Sequence, residues 1–316
     1  MKNWVLYILK FIFLTLIVAF FLQIVCDNGL KKINNSIYNE WSKILGGKIN
    51  ADVLIMGSSR AVVSYNTEIV SRMSGLESYN LGFNAGGENL QLEKLKLYLK
   101  LNKKPKIIIQ NIDQAHFGFN QELPEETQFI PFLGNNDLKA FLAKYDPKYN
   151  YLEYIPLLKY NNNQYVFFEG IVSNFKSVIP NNLIFNGFVP VNKKFKLDKH
   201  NLINLEKVKI EKQNISGKID IMLKFYSENL NKDSFVFFVW APEKVERLDP
   251  KFLNSKMYIK KILKNKIKAN SNYFFIDMMD NPISYDQNCF YDTFHLNNYG
   301  AKMFTTELVQ NINKIN

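Results

Sequence analysis

The sequence predicts an α/β fold, a three-layer sandwich with a five-stranded parallel sheet between two helical layers. A long insertion follows the third strand, and a transmembrane helix precedes the whole. Three observations carry this. Short apolar runs alternate with helical stretches, the order a parallel sheet requires. The first, "ADVLIMG", is a short apolar run ending at Gly, the pattern of a buried parallel strand. Residues 4–26, "WVLYILKFIFLTLIVAFFLQIVC", are long enough to cross a bilayer core, which needs roughly 20 apolar residues.

The N-terminal run carries a single charge, Lys10, on a stem long enough to reach the near interface, where Trp4 and Tyr7 also fit. No small-x-small cleavage pattern follows it, and residues 23–25 do not form a lipoprotein box before Cys26. The expected division is an anchor over 1–30, a polar spacer over 31–50 and one domain over 51–316.

Within that domain "ADVLIMG" (51–57) reads as the first strand and residues 61–73 as a helix. "ESYNLGF" (77–83) is the second strand, and "ENLQLEKLKLYLKL" (88–101) spaces its leucines for a helix. "PKIIIQNID" (105–113), "DSFVFFVWAP" (233–242) and "SNYFFIDM" (271–278) complete the five strands. The last helix begins at Asn298, with Tyr299, Met303, Phe304, Leu308 and Ile312 on one stripe. Residues 114–215, rich in Tyr, Phe, Asn and Pro, exceed any crossover helix and read as an inserted cap or docking region.

The 316 residues carry a formal net charge of +11, spread along the chain. Only "KKILKNKIK" (260–268) concentrates it, and its alternation with Ile and Leu reads as the wet face of an amphipathic helix. Diffuse charge beside an anchor argues against nucleic acid as the partner. Cys26 and Cys289 form no disulfide framework, and no Cys/His cluster has zinc-ligand spacing, so neither metal nor cofactor is expected.

Chemistry on such sheets gathers at the carboxyl ends of the strands. The first strand ends in "GSSRA", where a serine at a strand-to-helix turn either caps the helix or presents its hydroxyl above the sheet. The second ends in "NLGFNAGG" (80–87), an ordinary glycine turn or a close backbone approach to a ligand. Near the C-terminus stands "DTFH": Asp292 and His295, three apart, either cap a helix or form a carboxylate–imidazole pair. Asp113 and His116 read as loop polar residues, His200 as surface, and Cys289 as a structural thiol.

These three blocks, in this order, resemble those of the SGNH (GDSL-like) hydrolase superfamily. The resemblance covers roughly residues 50–113 and 233–316. It implies a nucleophile at Ser59, with Ser58 at the position usually held by Asp, and Asp292 and His295 completing a Ser-His-Asp triad. It further implies an oxyanion hole from the amides of Ser59 and Gly86, although alignment from Asn80 would place Ala85 at the second position. The family's third block usually reads Gly-x-Asn-Asp, whereas this chain has "QNIDQAHFG", so Asn111 or Asn84 would stand in for the missing Asn. Arg60 would either contact an anionic acceptor or pack at the turn.

The anchor followed by "GSS" is also similar to the teichoic acid D-alanyl-transfer protein and to envelope O-acetylation proteins. That similarity implies a single-pass membrane protein with its domain outside the cytoplasm, in the periplasm or at the cell surface. Its implied activity is that of an esterase or acyltransferase on O-acyl, chiefly acetyl, esters of envelope glycans. The implied partners are the lipid bilayer, an acylated glycan polymer and a membrane-bound O-acyltransferase. The rival expectation is a non-catalytic envelope scaffold or polysaccharide-binding protein that retains the fold.

Overall fold

The computed structural model describes residues 2–34, 37–118, 123–175, 185–196, 212–248 and 250–315. His200 lies outside them, as does part of the insertion. Eleven α-helices occur among the described residues: α1 (Lys2–Lys32), α2 (Ile37–Leu45), α3 (Ser59–Ser64), α4 (Thr67–Ser74), α5 (Glu88–Leu101), α6 (Gln114–Gly118), α7 (Asn136–Leu142), α8 (Gln164–Val172), α9 (Lys212–Asn229), α10 (Pro250–Ile267) and α11 (Asn298–Ile315). The strands are β1 (Val53–Met56), β2 (Ser78–Asn80), β3 (Ile107–Asn111), β4 (Phe235–Trp240) and β5 (Tyr273–Asp277). Residues 1–45 with 125–181 form one unit, and residues 46–124 with 182–316 form a second.

The second unit holds the sheet, in the order β2-β1-β3-β4-β5 with every pair parallel. Its central strands, VLIM, IIIQN and FVFFVW, are largely apolar on both faces because each face is covered, and the two polar side chains that end β3, Gln110 and Asn111, are buried with hydrogen-bond partners. One face carries Val53, Ile55, Ile107, Ile109, Phe237 and Val239 against Ala61 and Tyr65 of the α3 region, Val70 of α4, and Phe304, Leu308 and Ile312 of α11. On the other face the Tyr226 hydroxyl of α9 donates to Gln110 Oε1 (2.5 Å), and Gln110 donates to Gln91 of α5 (3.0 Å). Lys260 of α10 lies over the Trp240 ring on that face.

Several expectations are adjusted. The single helix expected over 61–73 is two, because Asn66 caps a new one: its side chain accepts from Ile69 N (3.1 Å). Tyr299 and Met303, expected on the buried stripe of α11, are 55% and 41% exposed, and Ala301, Thr305 and Val309 take the inner positions. Lys260, expected on a wet face, is buried and bonds Asp277 (2.7 Å), its stem covering Trp240. The connection from β3 to β4 is long as expected, and α9 at its end is the crossover helix.

The first unit is built on α1. From Trp4 to Phe21 its side chains are almost all exposed, and it is the one helix among the described residues long and apolar enough to cross a membrane. From Gln23 onward it becomes buried against α8 and residues 153–160. Gly170 of α8 is required by that contact, since a Cβ there would collide with Sγ and the carbonyl of Cys26. Lys159, wholly buried, bonds Asp27 (2.7 Å) and Glu153 (2.6 Å), and the Tyr160 hydroxyl donates to the other oxygen of Asp27.

Candidate active site

All five strands point the same way, so the loops after them share one edge of the sheet. Gly57 makes the first turn possible. Its φ is +149°, and a Cβ would lie 2.7 Å from Ala61 Cβ and 2.8 Å from Asn111 Cβ. The chain then turns at once into α3, with Ser58 as its cap and Ser59 as its first residue. The loop after β2 is tied to the same turn, because Phe83 N donates to Gly57 O (2.9 Å).

The Asp292–His295 loop is pinned at both ends. Phe290 and Leu296 form an antiparallel bridge, and Tyr291 N donates to His295 O (3.2 Å). One oxygen of Asp292 accepts from the amides of Phe294 and His295 (2.7 Å each), a turn within the loop and not a helix cap, since α11 begins at Asn298 and its Gly300 amide is bound by Asn297. The other oxygen lies 2.9 Å from His295 Nδ1. A carboxylate can only accept there, so Nδ1 carries the proton and Nε2 of the neutral ring is an acceptor. Burial pushes the Asp292 carboxyl up, but the His295 contact and the two amides more than reverse this, holding it below its ordinary value.

His295 Nε2 lies 2.8 Å from Ser59 Oγ. The hydroxyl therefore donates to the imidazole across 236 positions of sequence. Ser59, Asp292 and His295 are all partly accessible, so the group opens to solvent. His295 also stacks parallel to Tyr291, ring centroids 5.4 Å apart and planes within 3°.

The other expected site residues are placed differently. The Gly86 amide, expected in an oxyanion hole, closes a turn onto Phe83 O (2.9 Å). Ala85, the alternative, holds that turn's positive φ of 51°. Asn111 is fully buried: its amide donates to Asp113 (2.9 Å), and its carbonyl accepts from Tyr65 (2.8 Å). Both functions of its side chain are thus occupied within the core, which corrects the expectation of an oxyanion donor. Asn84 is exposed, next to the Phe83 that bonds Gly57. Cys26 and Cys289 are both free. Burial, with Asp286 beside it, pushes the Cys289 thiol up to about 12, as suits a structural cysteine.

Two supports were missed in the sequence. Asp113, read as a loop residue, is buried and accepts from Ser58 Oγ (2.7 Å), from Asn111, and from His116 N (2.8 Å). It thereby ties the turn after β1 to the end of β3. The second support lies under Phe294. Arg60 packs at the turn, donating to the carbonyls of Ala241 (2.9 Å) and Pro242 (2.7 Å) and pairing with Glu243 (3.3 Å). Glu243 also binds Arg247 (2.8 Å), Lys256 (2.6 Å) and the Trp240 indole (2.8 Å). The guanidinium carbons of Arg60 and Arg247 lie 5.0 and 4.4 Å from the Phe294 ring centre, within cation–π range. Sequence offered no signal for this cluster, since Glu243 lies 183 positions from Arg60.

Fold and geometry define a class: a parallel α/β protein with a serine–imidazole–carboxylate chain at the carboxyl edge of its sheet. No family model and no curated protein matches the chain. Among solved structures it is similar to an active-site mutant of a family two carbohydrate esterase from Clostridium thermocellum. That comparison has a TM-score of 0.43 at 8% identity, covering 83% of this chain and 63% of the esterase. It is also similar to an acetyl xylan esterase, Est2A, from the rumen bacterium Butyrivibrio proteoclasticus, with a TM-score of 0.37 at 8% identity and the same two coverages. The chain thus spans about 63% of the length of either esterase. With likenesses this low, the architecture rests on the sheet's own order and register.

Proposed function

We propose that this chain is a membrane-anchored serine esterase or acyltransferase of SGNH type, acting on O-acyl esters of cell-envelope glycans. The observation that carries the reading is the continuous hydrogen-bonded chain from Ser59 Oγ through His295 to Asp292. Ser59 attacks the ester carbonyl as His295 Nε2 takes its proton. Collapse of the tetrahedral intermediate expels the glycan alkoxide, which receives that proton from His295. The acyl-Ser59 ester then passes its acyl group to water or to another hydroxyl, whose proton leaves by the same imidazole. Asp292 fixes the tautomer and stabilises the imidazolium.

The Ser59 amide begins α3 and has no intrahelical carbonyl to bond, so it is the first proposed oxyanion donor. The Asn84 side chain, on the loop tied to Gly57, is the second. Helix α1 is the proposed anchor, with the sheet-bearing unit outside the cytoplasm. The proposed macromolecular partners are an acylated envelope glycan and a membrane-bound acyl donor protein.

A fluorophosphonate probe tests the nucleophile. The parent chain is expected to label and Ser59→Ala to stay unlabelled, with ester turnover reduced about 10⁴-fold or more. Equal labelling of the two would leave the non-catalytic scaffold as the reading. Asn84→Ala is expected to lower kcat by about 10²–10³-fold, the usual effect of losing one oxyanion donor. Acyl analysis of the glycan in a deletion strain separates the two reactions: acyl loss means transfer, and acyl gain means hydrolysis.

A further inference from the structure

The first unit presents more apolar surface than its long helix explains. Residues 4–21 of α1 are the exposed stretch, about 27 Å at roughly 1.5 Å per residue, close to the roughly 30 Å of a hydrocarbon core. The outer edge of that core therefore falls at residues 22–24. Gln23 sits there, 3% exposed, and its side chain is bound on both sides by the insertion: Nε2 donates to Glu153 O (3.2 Å), and Oε1 accepts from Leu157 N (2.7 Å). Residues 153–157 are thus held at the depth where the helix leaves the core.

Large side chains are exposed along this stretch: Tyr151 at 49%, Tyr154 at 62% and Ile155 at 47%. Helix α8 continues the surface. It is bound to α1 one turn further out, where Cys26 Sγ donates to Phe167 O (3.3 Å). Its outward stripe is Tyr165, Phe168 and Val172, at 79%, 63% and 44% exposure, while Val166 and Gly170 face inward. One turn is about 5 Å along α1, which puts this stripe in the headgroup layer beside the core. Lys139 completes the pattern: its ammonium donates to the Tyr154 hydroxyl (2.6 Å) and lies 4.6 Å from that ring's centre. An amphipathic aromatic with a cation at its polar end is the pairing that membrane interfaces favour.

We propose that residues 151–172 form an interfacial collar, with Tyr154, Ile155, Tyr165 and Phe168 immersed in the headgroup layer of the leaflet from which α1 emerges. The occupant of this surface is lipid. Its continuity with the exposed helix, at matching depth and through Gln23 and Cys26, argues for this over a protein partner. The collar gives the unit a second hold on the bilayer, so that α1 is not a free tether but a spoke fixed in a membrane-lying hub.

The inference rests on α1 spanning the bilayer, and the two are separable. The full chain is reconstituted in vesicles of phosphatidylethanolamine and phosphatidylglycerol, with a nitroxide on Tyr154→Cys or, separately, Phe168→Cys. The two native cysteines are buried, and unmodified protein serves as the labelling blank. Emission from the three tryptophans, of which Trp41 and Trp240 are buried, reports that each variant is folded. Both labels are expected to collide with an aqueous nickel chelate several-fold less often than the same label at the exposed Lys302→Cys, at every protein-to-lipid ratio. Nickel-accessible labels would overturn the collar and leave the surface to a protein partner. Shielding that appears only at high protein-to-lipid ratio would overturn it in favour of a second copy of this chain. Release of the chain by alkaline carbonate would instead defeat the spanning helix itself.

Discussion

Two buried charge clusters, one in each unit, solve the same problem with opposite signs. In the sheet-bearing unit a single carboxylate, Glu243, is surrounded by three cations, Arg60, Arg247 and Lys256. In the helical unit a single cation, Lys159, is held by two carboxylates, Asp27 and Glu153. Each joins segments far apart in sequence: Arg60 to Glu243 in the first, Asp27 to Lys159 in the second. Buried pairs of this kind add little net stability over apolar packing, because both partners are desolvated. Their value is positional, since a lone charge cannot stay buried and only one arrangement of the chain satisfies all members. The first cluster carries Phe294, between Asp292 and His295. The second carries the outer end of α1.

The largest expected effect comes from leaving each cluster's central charge out. Glu243→Ala strands three buried cations and is expected to destabilise the protein by about 3–5 kcal/mol, read from the urea midpoint. Lys159→Ala leaves the buried Asp27 with Tyr160 alone, while Glu153 is partly accessible, so a smaller loss is expected in the helical unit, seen as faster hydrogen exchange in residues 151–172, with the probe labelling of Ser59 unchanged. If Lys159→Ala abolished probe labelling as well, the two clusters would not be independent.

Glu88 supplies a contrast with both clusters: a buried carboxyl whose two oxygens have no hydrogen-bond partner. Burial pushes it up to about 8, with Lys218 opposing weakly. The folded state therefore holds a proton that the unfolded chain releases above about pH 4.3. Its contribution to stability is present in full below that pH and is lost progressively as pH rises to about 8. Glu88→Gln is expected to leave the melting temperature near pH 4 almost unchanged and to raise it at pH 8, by the equivalent of a few kcal/mol. Glu243 has the opposite sign. Burial pushes it up, but Arg247, Lys256 and Arg60 overcome this and hold it well below the usual carboxylate range. The stability it confers is present above the unfolded carboxylate value and is lost only in strong acid, as pH falls through the folded one.

The smallest effect tests whether the first cluster reaches the site. Phe294→Leu leaves an apolar, somewhat smaller side chain but removes the ring that lies against the two guanidiniums, an interaction worth about 0.5–2 kcal/mol. If the Phe294 ring, packed edge-to-face against His295 at 5.1 Å, acts by orienting that imidazole, kcat is expected to fall about tenfold at unchanged KM. A change confined to KM would show that the ring does not act through His295.

Much of the sheet-bearing unit was legible in advance. The five strands lie within the five segments expected, because the central ones, covered on both faces, are apolar at most consecutive positions, although β2, with Ser78 and Asn80, is buried and polar. Helices α5 and α11 begin at the residues expected, Glu88 and Asn298. The proximity of Ser59, Asp292 and His295 was legible only as a pattern of blocks, because a strand's carboxyl end is predictable while a contact across 236 positions is not. The oxyanion expectations for Gly86 and Asn111 failed locally. Composition does not reveal that an amide will close a turn, or that an Asn will be shared between Tyr65 and Asp113.

By itself, then, the sequence determined the layers: which segments are buried on two faces, which on one, and which single run is apolar all round. Those are consequences of hydrophobic periodicity, a local property written in neighbouring residues. The tertiary structure decided the pairings. It grouped the N-terminal helix with residues 125–181, set three cations around Glu243, and brought one hydroxyl to one imidazole. Such contacts depend on long-range chain closure and on the need of every buried charge for a partner, and neither condition is expressed in any short stretch of sequence.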